Sequence, residues 1–445
     1  MARRGGQVVI ATATALSCDA EPIHVPGAIQ PHGVLVAMHP QTLKISQVSA
    51  NSTNLFGAAP SQVLGKTLLT LLGGSGDRLL TALATNKLSN GEPLFAEIDG
   101  RAFDVRAHRH QGVAIVEFER QAAPGQLAAT TDAMLRSALS RLQRPEGLGD
   151  VCSVMVEEVR KLTGFDRVLL YQFDEEGHGD VIEEDRADDV EAYWGHRFPA
   201  TDIPRQAREL YVLNWLRLIP DATYTPVPLV PELRPDEGLP LDLSFSTLRS
   251  VSPIHLQYLQ NMGVRASMSV SLVRNGKLWG LIACHHRFAR HVNFATRAAC
   301  EVIGRVASLQ IAALEEIESR VFRRARSSVE AKLVNAMHNT QEEPALALLQ
   351  RGDALLTLVD ASGAAVCTSA GIRTVGATPS AIQIDALLLW IAKEGCASTL
   401  HTDRLSERHP PAADYASLAS GLLALSLPAS LARTCSGFVR NWYAR

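Results

Sequence analysis

Between Pro22 and Gly33 the backbone has little freedom to form a regular element. Pro22, Pro26 and Pro31 fix their own φ and push the preceding residues to extended conformations, while Gly27 and Gly33 permit turns. No helix fits such a run. The stretch Glu21-Pro22-Ile23-His24-Val25-Pro26-Gly27-Ala28-Ile29-Gln30-Pro31-His32-Gly33 must follow a fixed, turning path, and Cys18 stands just ahead of it. That path can hold one thiol in a set place. Two further runs are constrained in a similar way. In Phe198-Pro199-Ala200-Thr201-Asp202-Ile203-Pro204, the proline after Ile203 disfavours helix and holds Asp202 on a turn. In Ser252-Pro253-Ile254-His255-Leu256-Gln257-Tyr258, the three-residue spacing sets His255 and Tyr258 on one helical face.

At 445 residues the chain is long enough for about three domains, and 46% apolar residues can fill their cores. A net charge of −3 gives no basic stripe, so no nucleic-acid partner is expected. No apolar run reaches the ~18 residues that would span a membrane. The cysteines (Cys18, Cys152, Cys284, Cys300, Cys367, Cys396, Cys435) are odd in number and form no CxxC pair, which argues against a disulfide framework and for a reducing cytosol. Arg3-Arg4 followed by Val8-Val9-Ile10 has the outline of a short secretory signal, and Ala15-Leu16-Ser17-Cys18 that of a lipoprotein site. The apolar stretch is short, however, and carries Thr12 and Thr14. A cytoplasmic location is expected.

Residues 1–17 read as a tail. Strands are expected at 33–37, 43–48 and 113–118, with short helices at 60–64 and 76–80, giving a small α+β domain over 18–122 and a linker near 121–126. A helical stretch over 127–163, broken at Pro145-Glu146-Gly147, precedes strands at 167–173 and 179–182. Residues 219–247 hold Pro220, Pro226, Pro228, Pro231, Pro235 and Pro240 with little periodicity, and a loop that long inside a domain is usually functional. Strands at 267–273 and 278–284 complete a second domain over 127–320. From 294 to 336, Val302, Val306, Leu309, Ala313, Ile317 and Val321 step by three and four in a proline-free helix. Such a helix outgrows its domain and suits pairing with a second copy of the chain. In 321–445, residues 355–359 and 364–367 read as a hairpin, and no closing strands are legible, so a truncated third domain is expected.

The three constrained runs together resemble the chromophore module of bacteriophytochromes. The resemblance covers 18 to about 320 as a PAS domain followed by a GAF domain, both α+β, with the remainder resembling the start of a PHY domain. It implies a red/far-red photoreceptor that carries biliverdin, a linear tetrapyrrole, covalently on Cys18. It implies that the Asp202 carbonyl faces the pyrrole nitrogens, with Ile203 and Pro204 beside it. His255 lies over the same nitrogens, Tyr258 is in the D-ring pocket, and His285 donates to the D-ring carbonyl. Arg217 and Arg249 match the arginines that clamp the propionates, and Ser252, Ser267 and Ser269 match hydroxyl positions around them. Tyr171, Phe198 and Tyr211 match the aromatic D-ring pocket. The excursion 219–247 corresponds to a lasso with Ile29 inside it, forming a knot. A homodimer and a downstream output or response-regulator protein are the implied partners.

Alternation along a strand turns only one of His285 and His286 inward, which makes a shared metal site there a poor reading. The Pro-Arg-x-Ser-Phe motif of the PHY tongue is absent, and so is any ATP-binding glycine-rich block; the chain itself is not expected to be an enzyme. Two other classes stay open. One is a PAS–GAF sensor of a cyclic nucleotide or haem. The other is a thiol enzyme using Cys18 with His24 or His32 as base.

Overall fold

The computed structural model describes residues 21–84, 94–121, 126–341, 344–368, 371–394, 399–426 and 434–439, and the chain divides into two compact units, Met1–Glu315 and Glu316–Arg445. Cys18 and Cys396 lie outside the described residues, as do the expected tail 1–17 and most of the linker. Among the described residues no helix is long and apolar enough to cross a membrane.

The first unit carries two antiparallel sheets. One runs in the order Ala28–Ile29, Val227–Val230, Ile45–Ser49, Gly33–Met38, Val113–Arg120, Arg101–His110, Leu94–Ile98. Its second strand comes from the proline-rich excursion, some 200 residues away from its neighbours by sequence. Pro228 hid that strand, because proline removes a ladder donor. The segment 27–30 is held from both sides by this excursion. Leu229 N donates to Gly27 O at 2.9 Å on one arm; on the other, Ser250 N reaches Ala28 O at 3.1 Å and Gln30 N reaches Leu248 O at 2.7 Å. The side-chain amide of buried Gln30 donates to Leu218 O at 3.0 Å. The lasso expectation is met. Ile29, wholly buried, packs there with Leu35, Leu229, Leu241, Leu243 and Leu248. Gly33 is required at the junction, since a Cβ would fall 2.7 Å from the Phe118 carbonyl oxygen.

The second sheet runs in the order Leu216–Ile219, Ala266–Arg274, Lys277–His286, Arg167–Phe173, Gly179–Arg186, Arg197–Phe198. Its two faces separate by the two-residue period of a strand. Val168, Leu170, Leu218, Met268, Val270, Ile282 and Cys284 pack against the helices Leu148–Thr163 and Phe294–His338 through Val151, Met155, Val159, Cys300, Ile303 and Ala307. The alternate residues face the helices Arg205–Leu213 and Pro253–Asn261 and build the site described below. The helix Phe294–His338 has 45 residues, about 68 Å at ~1.5 Å each. Its Leu309, Ile317, Val321 and Phe322 are exposed.

In the second unit the chain departs from two expectations. Residues Gly352–Val359 form a helix, not a strand. The short apolar run Leu355-Leu356-Thr357-Leu358-Val359 fits either period, and Asp360 in the left-handed region (φ 50°) ends it as a helix cap. The missing strands are also present: a five-stranded sheet runs Gly371–Gly376, Gly363–Thr368, Thr434–Val439, Gly421–Leu425, Thr399–Thr402. Residues such as Gly421-Leu422-Leu423-Ala424-Leu425 lack the alternation that marks a half-buried strand, which is why the pattern was not legible.

Excursion and first sheet are joined by a buried carboxylate. Glu117 accepts from Leu248 N at 2.7 Å and Thr247 N at 3.1 Å, and burial pushes its pKa up. Removing it orphans two buried donors, at roughly 1–3 kcal/mol each. Urea denaturation of Glu117→Ala is therefore expected to show a loss well beyond that of Glu97→Ala, an exposed glutamate of the same sheet; equal losses would refute this role.

Candidate functional site: a buried cavity on the second sheet

Every strand of the second sheet that reaches the cavity offers it one alternating set of side chains. Ser267 and Ser269 face it between Ala266, Met268 and Val270, which enter the core; Arg217 faces it between Leu216 and Leu218; His285 follows Leu281 and Ala283 on the same face. Together with the two helices they enclose about 270 Å³. Of the residues singled out in the sequence, Tyr171, Phe198, Asp202, Ile203, Pro204, Tyr211, Arg217, Arg249, Ser252, His255, Tyr258, Ser267, Ser269 and His285 all line this one cavity. Cys18 lies outside the described residues. Ile29 does not line the cavity: it is fully buried in the contact between the N-terminal segment and the excursion, because its neighbours Ala28 and Gln30 are tied to both arms.

The polar groups fall into two kinds, those already paired and those left without a partner. Tyr258 donates to Asp202 Oδ2 at 3.1 Å, and its ring stacks on His255 with centroids 6.1 Å apart. Ser252 caps its helix at Ile254 N (3.2 Å) and donates to Glu21 Oε2 at 2.6 Å, drawing the N-terminal segment to the cavity rim. Ser271 holds Tyr211 through its carbonyl at 2.7 Å. Arg217 is directed at backbone: its guanidinium donates to Ser246 O (3.2 Å), Thr247 O (3.1 Å) and Arg249 O. It thereby fixes the segment that presents Arg249. By contrast, buried Arg249 Nη1, His285 Nδ1, Tyr171 Oη and Asn214 Nδ2, all on residues that line the cavity, have no hydrogen-bond partner within the protein. A bound group that carries polar atoms would satisfy them. A cation, a ring nitrogen and a phenol suit an anionic ligand that also carries hydrogen-bonding polar groups.

Burial sets the charge states. The His255 imidazole is pushed down to about 4 by desolvation and by Arg217. His285 falls to about 3 through desolvation, then Arg167 and His255. Both are neutral at pH 7. Burial and neighbouring Arg217 bring Arg249 down to about 9, and desolvation with Asp202 raises Tyr171 and Tyr258 above their ordinary range. His286 points to the opposite face and pairs with Asp166 at 2.9 Å, as alternation requires.

Residues that the sequence did not reveal also line the cavity, notably Glu21, Ile23, Tyr193 and Asn214. Tyr193 is set by Arg167, whose guanidinium lies 3.7 Å over its ring and pairs with buried Glu184 at 3.1 Å. Only the three-dimensional return of residues 184–194 onto strand Arg167–Phe173 shows this, although Glu21 sat inside the constrained N-terminal run.

Comparison with known proteins fits this arrangement. A PAS fold matches residues 18–121, a GAF domain 147–314 and a phytochrome region 326–435. The bacteriophytochrome structure from R. palustris superposes with a TM-score of 0.81 at 39% identity, covering 95% of this chain and 85% of that one. The chain belongs to the phytochrome family. Its PAS–GAF–PHY architecture is that of a bacteriophytochrome photosensory region. The Stigmatella aurantiaca phytochrome photosensory core module is similar to the same degree, with a TM-score of 0.81, 41% identity and coverage of 95% and 85%. Among curated proteins, cyanobacterial phytochrome B of Nostoc sp. is 42% identical over 425 residues, 93% of this chain and 56% of that protein. The bacteriophytochrome of Pseudomonas aeruginosa is 37% identical over 363 residues, 80% and 49% respectively. The chain thus spans about half the length of these curated relatives.

The depressed histidines have a consequence for stability. In the bilin-free chain, unfolding lets His255 and His285 rise from about 4 and about 3 toward an ordinary 6.5. Between those values the unfolded state binds more protons, so stability falls as pH drops below about 6.5, by on the order of 1 kcal/mol per pH unit for each histidine. Denaturation midpoints from pH 7 to 4.5 are expected to show this slope, and His255→Gln to flatten it; an unchanged slope in that variant would contradict the assignment.

Proposed function

We propose that this chain is the light-sensing part of a red/far-red photoreceptor, with biliverdin held in the cavity and attached through Cys18. The observation that carries the reading is the convergence of the unpartnered Arg249 Nη1, His285 Nδ1 and Tyr171 Oη on one cavity whose rim the N-terminal segment reaches. When bound, the tetrapyrrole supplies absorption of red light and Z/E isomerisation at its D-ring. Arg249 would meet a propionate, and Arg217 positions Arg249 through its carbonyl. Ser267 and Ser269 add hydroxyls on the same sheet face. Neutral His285 is free to donate to a carbonyl, and neutral His255 to exchange hydrogen bonds near the pyrrole nitrogens. The Tyr258–Asp202 hydrogen bond is the contact whose rearrangement reports the change of state to the protein.

Three other cysteines of the first unit are poor thiol nucleophiles: burial raises Cys152 and Cys300 to about 12 and pushes Cys284 well above its ordinary value. His32, one base of the enzyme reading, is engaged elsewhere and does not line the cavity. A cyclic nucleotide, which is small and polar, would leave the apolar and aromatic end around Tyr171, Phe198 and Tyr193 unfilled. The chain carries out no turnover on this reading; in the cytoplasm it passes a conformational bias to an output domain or response regulator. The exposed Leu309, Ile317, Val321 and Phe322 of the long helix serve a homodimer.

The test is spectroscopic. Purified chain mixed with biliverdin is expected to develop a red absorption band that changes on red illumination. Tyr258→Phe breaks the Asp202 contact while keeping the ring, so it is expected to keep the band and alter the light-induced difference spectrum. Failure to form the band, or a Tyr258→Phe difference spectrum identical to the parent, would overturn this reading.

A further inference from the structure

Beyond the cavity, a second group of polar side chains, around the buried Glu119, lies where the N-terminal run, the first sheet and the start of the long helix meet. His32 Nε2 stands 3.9 Å from Glu119 Oε2, and His291 Nε2 stands 3.6 Å from the same atom. The three ligand atoms all lie within 4.8 Å of one another. None of the three residues lines the chromophore cavity. They come from three distant parts of the sequence: the turn after Pro31, the strand Val113–Arg120, and the loop just before the helix Phe294–His338.

We propose that His32, Glu119 and His291 form a binding site for a divalent transition-metal cation of the zinc class, which ties these three segments together. Two imidazoles and a carboxylate are the ligand set such an ion takes, with a fourth position open to water. Tetrahedral donors at ~2.0–2.1 Å from zinc stand about 3.4 Å apart. The two nitrogens need approach Glu119 by only a few tenths of an ångström. Arg297 pairs with Glu119, which favours the ionised carboxylate that a metal takes. The local charge also suits a cation. Arg297 donates to Glu119 Oε2 at 2.6 Å, and the Asp104 carboxyl lies close enough to act on the same group. A carboxylate oxygen has two lone pairs, which lets the guanidinium and a metal share it. Access is through His291, whose side chain is 38% exposed.

The site rests on residues outside the chromophore cavity and is independent of the proposed light-sensing function. It is tested on the full chain prepared without biliverdin, so that no bilin nitrogens compete for metal. After treatment with a chelator and its removal, Zn²⁺ is titrated by calorimetry, and Tm is measured with and without the ion. One equivalent bound with a rise in Tm is expected. His291→Ala and His32→Ala should each weaken binding at least tenfold, since loss of outer partners alone costs about 10–100-fold. His178→Ala, in the surface cluster Asp174, Glu176 and His178, should leave it unchanged. An unchanged far-ultraviolet circular dichroism spectrum and a cooperative melt without zinc show that a variant is folded. Absence of stoichiometric binding, binding retained in both cluster variants, or binding lost in His178→Ala would each overturn the proposal.

Discussion

The interaction on which the rest depends is the pairing of the strand Val227–Val230, sent out by the second domain, with the first domain's sheet and with Ala28–Ile29. That pairing makes two sheets one unit. It holds residues 27–30 between Val227–Val230 and residues 248–250, with the carbonyls of Gly27 and Ala28 and the amide of Gln30 all hydrogen-bonded to them. Glu117, buried among the backbone amides of Thr247 and Leu248, closes the contact from the sheet side. Arg217 closes it from the cavity side through three carbonyls. The consequence is functional. The segment just after Cys18 is delivered to the cavity rim, where Glu21 meets Ser252.

The cavity combines an apolar, aromatic end with a polar end whose charges are incompletely matched. Phe198 packs tilted against Tyr171 and edge-on to Tyr193 at one side, with ring centroids 5.8 and 6.1 Å apart. On the other side Arg249 is desolvated without a counter-ion, which lowers its pKa and marks the place where an anionic group lowers the free energy most. Neutral His255 and His285 complete a site that can exchange hydrogen bonds without exchanging net charge.

How much of this was legible depended on the kind of signal. The alternation of Ser267 and Ser269 with Met268 and Val270, and of His285 with Cys284, fixed which face each residue takes; the proline-limited runs fixed where Asp202 and His255 sit. Local patterns of this kind survive folding because the strand and helix periods impose them. Ile29 enters the hydrophobic cluster of the excursion and not the cavity, and adjacency in sequence says nothing about which of two neighbouring clusters a side chain enters. The backbone role of Arg217 was hidden for the same reason, since its carbonyl partners lie about 30 residues away. In the second unit, Leu355–Val359 could be helix or strand by period alone, and the αL cap at Asp360 decided it.

The most direct test is the chemical identity of the attachment site. Biliverdin-loaded chain is digested and the peptides are analysed by mass spectrometry. One bilin is expected on the peptide that carries Cys18 and none on those of Cys152, Cys284, Cys300, Cys367, Cys396 or Cys435. A bilin on any other cysteine, or a chromophore removed entirely by denaturation, would contradict the view that the trapped N-terminal segment brings its thiol to the cavity.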